Sequence, residues 1–279
     1  MNQRTTGFTL IELIVVMVVV GALAGSLAIF VKPAMQSYAD ANRRTALSDA
    51  ADGALRRMKR DIRMAVPNSF RQANANCIEM VPSTGGGRFR TDADPNDANS
   101  KALDTSAPGN TFDVMMGPGT PPAVSDLLVI GNQSPNDIYN GSNVTAVTGI
   151  QVHPAPASST DVVRGTHQIT LATNARMPLG YDGARFAVAP ANLGAVSYVC
   201  NLQTGTLTRF SAYQPGQSCA PPNGAASAVL ATRVIGCNFN LDPNPGVTQD
   251  GGYIELQLTL NDAGSTVTLI DGAHAENMP

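Results

Sequence analysis

The chain has 279 residues, with 18 Lys and Arg against 21 Asp and Glu, and a formal charge of −3 at neutral pH. That near balance, and the lack of any basic run interleaved with aromatics, exclude a polyanion-binding surface, so no nucleic-acid partner is expected. With 43% hydrophobic residues over this length, the chain can bury a sizeable core as one large or two small domains.

The first element is apolar. MNQRTTG leads into Phe8 to Val31, 24 residues whose single charge is Glu12. As a helix this segment extends roughly 36 Å, enough to cross a bilayer core. A secretory signal peptide is the competing reading, with Arg4 as basic flank and Ala22-Leu23-Ala24 as a small-residue cleavage site. Glu12 opposes it, because an acid at the centre of an inserting helix costs about 2.5 to 3.5 kcal/mol, less near the end. Helical character also continues beyond Ala24. Lys32, Arg43 and Arg44 after the segment rival Arg4 and the amino terminus before it, so charge bias leaves the orientation open. Gly21 and Gly25 form a G-x-x-x-G pair, joined by Ala22, Ala24 and Ala28, which permits close helix packing in an apolar medium.

Gly7-Phe8-Thr9-Leu10-Ile11-Glu12-Leu13 resembles the processing site of type IV prepilins and type II secretion pseudopilins, in which a short basic leader ends in Gly and an acid lies four residues beyond the following Phe. The resemblance implies a leader at 1–7, cleavage after Gly7 by a prepilin peptidase on the cytoplasmic side, and N-methylation of Phe8. It also implies that the helix is retained as a single inner-membrane pass with the remainder in the periplasm. Glu12 then acquires a use: it can pair with the charged amino terminus at Phe8 of an adjoining subunit, in surroundings where an unpaired carboxylate is costly. The plain alternative is an acid snorkelling to the membrane surface.

The assembly helix is expected over 8–34 and its amphipathic continuation over 35–66. Leu47, Ala51, Leu55, Met58, Ile62 and Ala65 recur at steps of three and four, while Arg43, Arg44, Asp49, Asp52, Arg56, Arg57, Lys59, Arg60 and Arg63 take the other face. Pro33 removes one hydrogen bond and predicts a bend, and Pro67 with Asn68 ends the pattern.

From 67 to 279 short Val/Ile/Thr/Leu runs between Gly, Pro, Asn and Asp predict a β-rich head. Strands are expected at 77–81, 88–91, 126–130, 162–172, 185–189, 196–201, 206–213, 228–239, 253–260 and 266–270. Hairpins are expected at Gln203-Thr204-Gly205 and at Asn261-Asp262-Ala263-Gly264. Polar or Pro/Gly-rich loops are expected near 92–112, 131–143 and 214–226. The fold class is α+β, a long N-terminal membrane-spanning helix packed on an antiparallel β-rich head.

Four cysteines, Cys77, Cys200, Cys219 and Cys237, lie beyond the apolar segment and form no C-x-x-C pair. They suggest two disulfides in an oxidising compartment, with three connectivities open and four separate buried thiols as the alternative. The favoured pairing joins Cys200 to Cys219 across a Pro/Gly-rich loop and, by elimination, Cys77 to Cys237.

Asp92, Asp94, Asn96 and Asp97 alternate oxygen ligands but lack the Gly and Glu of a calcium-binding EF-hand loop, so a solvated acidic loop is expected and no metal. Gly85-Gly86-Gly87 lacks the lysine of a phosphate-binding loop and reads as a turn. His153, His167 and His274 stand in no catalytic motif, and neither enzyme activity nor a cofactor is expected.

MKRDIRMAVPNSFR (58–71), IEMVPSTGGGRFR (78–90), DLLVIGN (126–132), SYVCNLQTGTLTRFSAY (197–213), VIGCNF (234–239) and the ending DGAHAENMP resemble the MshO group of minor pilins in mannose-sensitive-haemagglutinin pilus systems, which are similar to J-type pseudopilins. The resemblance implies a minor pilin that helps to initiate or support pilus assembly near a filament tip. Its implied partners are the prepilin peptidase, other minor pilins, the major pilin and the inner-membrane assembly platform. The alternatives are a J-type pseudopilin of type II secretion, a tip adhesin binding through loops 92–112 or 214–226, and a secreted hydrolase.

Overall fold

A computed structural model describes residues 7, 9–106, 111–117, 121–154, 165–172, 177–178, 183–191, 194–214, 219, 221–242 and 253–275. Leader residues 1–6, Phe8 and the first three residues of the strand expected at 162–172 lie outside the described residues.

The dominant element is α1 (Leu10–Arg63), 54 residues that continue through Pro33 and extend roughly 80 Å. Its last third lies on the head: Leu47, Ala51, Ala54, Leu55, Met58 and Ile62 are all buried, as the three-and-four spacing requires. Polar anchors flank this stripe. Asp61 accepts from the Tyr198 hydroxyl at 2.7 Å and from Arg209 Nε at 2.6 Å, and Lys59 pairs with Asp271, whose carboxyl is held below its ordinary range chiefly by that hydrogen bond. The helix stops before Pro67 because the next residues are recruited into β-pairing. Val66 N–H donates to the Val81 carbonyl at 2.8 Å, Ser83 N–H to the Met64 carbonyl at 2.7 Å, and Ala65 bridges Pro82.

Two β bodies follow. The first holds a five-stranded antiparallel sheet of β1 (Arg71–Asn74), β2 (Cys77–Met80), β9 (Ala195–Asn201), β10 (Thr206–Tyr213) and β11 (Ala226–Thr232), in the order β1-β2-β9-β10-β11. Beside it stands the meander β12 (Val234–Asp242), β13 (Tyr253–Asp262) and β14 (Ser265–His274). Both sheets share one core with α1, in which Ile78, Met80, Val196, Tyr198, Leu207, Phe239 and the alternating Ile254, Leu256, Leu258 and Leu260 are buried. Period-two burial along β13 is what a strand with one face on the core must show.

The second body is a closed six-stranded antiparallel barrel inserted between β2 and β9. Its strands are β3 (Gly85–Phe89), β4 (Thr111–Met116), β5 (Leu127–Ile130), β6 (Val144–Val152), β7 (His167–Leu171) and β8 (Arg185–Ala189), in the order β3-β4-β7-β6-β5-β8. Met80 and Val196 are register partners, so the chain leaves the sheet and returns to it at adjacent points. The barrel has its own core, including Phe112, Val114, Leu128, Ile130, Ile169, Leu171 and Val188. Closure removes free sheet edges from the insertion. A third cluster, Val66, Val129, Ile138, Ala187 and Ala189, joins the barrel to the chain leaving α1. Around it Asn68 Nδ2 donates to the Asn132 carbonyl (2.9 Å), Asn132 Nδ2 to the Pro67 carbonyl (2.7 Å) and Tyr139 Oη to the Ser69 carbonyl (3.0 Å).

Several expectations are corrected. Gly85-Gly86-Gly87 forms β3, not a turn; a Cβ on Gly87 would sit 2.3 Å from the Met115 carbonyl oxygen, so the glycine permits the close approach of β4. The strand expected at 228–239 is two strands in different sheets, parted at Arg233, whose φ is +61°. The loop expected at 131–143 contains α2 (Pro135–Asn140), with a capping box between Ser134 and Asp137 and Gly141 at its left-handed end.

The disulfides are also paired differently: Cys77 with Cys219, and Cys200 with Cys237. Strand parity gives the reason. Cys77 is the register partner of Val199 and Ile78 of Tyr198, so Cys77 and Cys200 point to opposite faces of the sheet. Cys200 shares its face with Tyr198 and Leu207, in the core against which Cys237 packs. Cys77 is left on the other face, where Cys219 reaches it.

Candidate assembly segment

The segment that carries the sequence motif begins with a helix cap. Thr9 is extended (φ −82°, ψ 150°), its side-chain oxygen accepts the Glu12 N–H at 3.4 Å and its carbonyl accepts the Leu13 N–H at 3.3 Å. Glu12 therefore occupies the first turn of α1, where the unsatisfied N–H groups of the helix favour negative charge. Gly7 and Glu12 are both exposed. Phe8, between Gly7 and Thr9, lies outside the described residues.

The described side chains from Thr9 to Tyr38 are all exposed, although most are apolar. Leu10 is 79% and Phe30 75% exposed. Among the described residues one helix is long and apolar enough to cross a membrane, and it is this one. Such a surface demands an apolar environment or other helices around it, since isolated patches of this size are not stable in water. Gly21 and Gly25 lie in its middle, and a Cβ on either would meet nothing within 4 Å, so both are open to a partner helix.

Other candidate residues are brought into structural networks. Asp113, on β4, is fully buried and faces out of the barrel, opposite to Phe112 and Val114. It accepts from Lys101 N–H at 2.9 Å and Gln168 Nε2 at 3.1 Å, and His153 Nε2 lies 3.0 Å away. With Leu103 N–H donating to the Arg90 carbonyl at 2.9 Å, these bonds bind the 90–103 segment to the barrel wall. His167 is held below the ordinary histidine range by burial and then by the charge of His153. His274 is elsewhere, against Tyr253 with ring centroids 4.9 Å apart. The histidines are thus not brought into one constellation.

In the acidic loop Asp94 accepts the Asn96 N–H at 2.9 Å and Asp97 the Asn99 N–H at 3.0 Å, so these carboxylates form local turns. Among the described residues no group of three or more His, Cys, Asp or Glu is placed to hold a metal ion. The Asp113 anchor and a buried Arg71–Glu79–Tyr213 cluster were not visible in sequence. Their partners lie 8 to 134 residues apart, and a lone polar residue in a strand gives no sign of its partner.

Residues 2–28 match the prokaryotic N-terminal methylation motif. No curated protein and no solved structure shows a significant match to the chain. The motif supports a type IV pilin-like protein. It implies processing by a prepilin peptidase and membrane-associated pilus assembly.

Proposed function

We propose that this chain is a minor pilin of an MshO-like kind. It is cleaved after Gly7, methylated at Phe8 and held in the inner membrane by the first half of α1, and it co-assembles with other pilins to initiate or support a pilus. The observation that carries this reading is a continuous helix whose described side chains from Thr9 to Tyr38 are exposed and largely apolar, its first part lying within the matched methylation motif. The disulfides Cys77–Cys219 and Cys200–Cys237 fit a head folded in an oxidising periplasm.

In this account Glu12 selects the partner. Once Gly7 is removed, Phe8 carries a positive amine, and Glu12 of a neighbour compensates it where lipid excludes water, an arrangement costly to leave half-made. The chain performs no turnover; its product is an ordered contact. The test is Glu12→Ala in the full chain, followed by recovery of the protein from sheared surface filaments. Normal cleavage with loss from the filament fraction supports the docking role, and unchanged incorporation removes it.

A second reading, a tip adhesin, draws on the inserted barrel, which has a separate core and closes without edges. Binding of surfaces by the full chain, lost when residues 82–194 are replaced by a short linker, would favour it.

A further inference from the structure

Beyond the motif, the outward face of α1 carries charge in two bands. On the side away from the buried stripe stand Asp49 and Asp52, then Arg56, Arg60 and Arg63. Arg56 pairs with Asp52 four residues back, and Lys59 is engaged by Asp271. Asp49 and Arg60 form no ion pair among the described residues, and Arg63 contributes only its field to Asp271. Arg56, Lys59, Arg60, Arg63 and Met64 line a shallow cleft of about 410 Å³.

A lipid surface does not explain this cationic band. Lys32 closes the apolar segment, and Arg56 and Arg63 follow it by 24 and 31 residues, so along a helix they stand roughly 36 to 46 Å beyond it, several Debye lengths away. A protein partner at the same height can compensate it, and the spacing specifies one. Asp49 precedes Arg60 by eleven residues, and Asp52 precedes Arg63 by eleven. Eleven residues are close to three full turns, so the shift conserves the face while advancing roughly 17 Å along the axis.

We propose that the outward face of α1 packs against the same face of a second copy of this chain, parallel and displaced by eleven residues, so that Asp49 and Asp52 of one copy meet Arg60 and Arg63 of the other. Parallel orientation follows from both apolar halves entering the membrane in the same sense. Copies at equal height oppose Arg with Arg and Asp with Asp, which disfavours that register. The exposed face is complementary only when one copy is raised, which is the condition of neighbours in a filament. The proposal therefore rests on the filament reading above.

The pair Asn42 and Gly53 reports this displacement without touching the charges. Both are exposed and eleven residues apart, and a Cβ on Gly53 meets nothing within 4 Å. In filaments sheared from cells expressing the full chain, Asn42→Cys with Gly53→Cys should be joined into dimers by a short thiol crosslinker at least about fivefold more than either single variant, with the yield falling as salt rises. Adding Asp49→Lys and Asp52→Lys should remove the excess, and adding Arg60→Glu and Arg63→Glu to that chain should restore it. Equal dimerisation of the single variants would mean packing in register and overturn the proposal. So would a methylated chain present in filaments whose double variant gives no dimer, with the filament reading left standing. An unmethylated chain absent from filaments would bring down both.

Discussion

The disulfide pairing is open to a decisive chemical test. Replacing Cys200 and Cys237 together by alanine removes one bridge and leaves Cys77 joined to Cys219, whose Cα atoms are 6.0 Å apart. Under the alternative pairing the same double variant strands both remaining cysteines. Maleimide titration of the denatured, unreduced protein should therefore find no free thiol; two thiols per chain would refute the strand-parity reasoning. The energetic cost follows from the sequence separations, 37 for Cys200–Cys237 and 142 for Cys77–Cys219. In the chain-entropy model these correspond to about 4 and about 5 kcal/mol. Urea unfolding of the full chain in detergent, followed by tyrosine fluorescence, should show both double variants destabilised. A midpoint unchanged in either would show that its bridge does not constrain the unfolded chain as supposed.

Three further outcomes are expected. Gly87→Ala places a methyl against the Met115 carbonyl and should cost about 3 kcal/mol or more, seen as protease cleavage within the barrel; an uncleaved barrel would contradict the close approach. Arg71→Ala leaves the buried Glu79 carboxylate, which accepts from the Tyr213 hydroxyl at 2.6 Å, without its guanidinium, and should cost about 3 to 5 kcal/mol. Adding Glu79→Gln to that variant should recover part of the loss in urea titrations, and no recovery would show that the charge is not what destabilises it. Burial, then Asp61 for Tyr198 and Glu79 for Tyr213, pushes both phenols above the ordinary 10.0. The folded chain therefore keeps protons that the unfolded chain gives up near pH 10, so this stability is complete below that pH and is lost as pH rises. The slope is about 1.4 kcal/mol per pH unit for each tyrosine, and unfolding midpoints that stay constant between about pH 9 and pH 11 would count against it.

Helix and hairpins were legible in the sequence because their signals are local. Residues 47–62 bury the positions that the spacing predicted, and the turn at Ala263-Gly264, with φ of +47° and +88°, joins strands paired along their whole length. The barrel was legible only in part: the strands expected at 126–130 and 185–189 are β5 and β8, but β4, β6 and the closure were not expected. Its strands β4 and β6 are covered on parts of both faces, or bulged at Val147/Gly149, and so lack a clean alternation. The triple glycine of β3 gives a turn signal that only the approach of β4 overrides. Connectivity of the cysteines depends on which face of a sheet each residue takes, and that is fixed by register, not by loop length. The methylation motif was the most legible part, because Gly7, Phe8 and Glu12 lie within six consecutive residues of the matched stretch.

The most direct test of the central claim is the mass of the mature N-terminal peptide from the membrane-bound chain. The account predicts a chain that starts at Phe8 with an N-methyl group, adding one CH₂ to the peptide that begins FTLIE. A chain that starts at Gly25, after the small residues that imitate a signal-peptidase site, would contradict it.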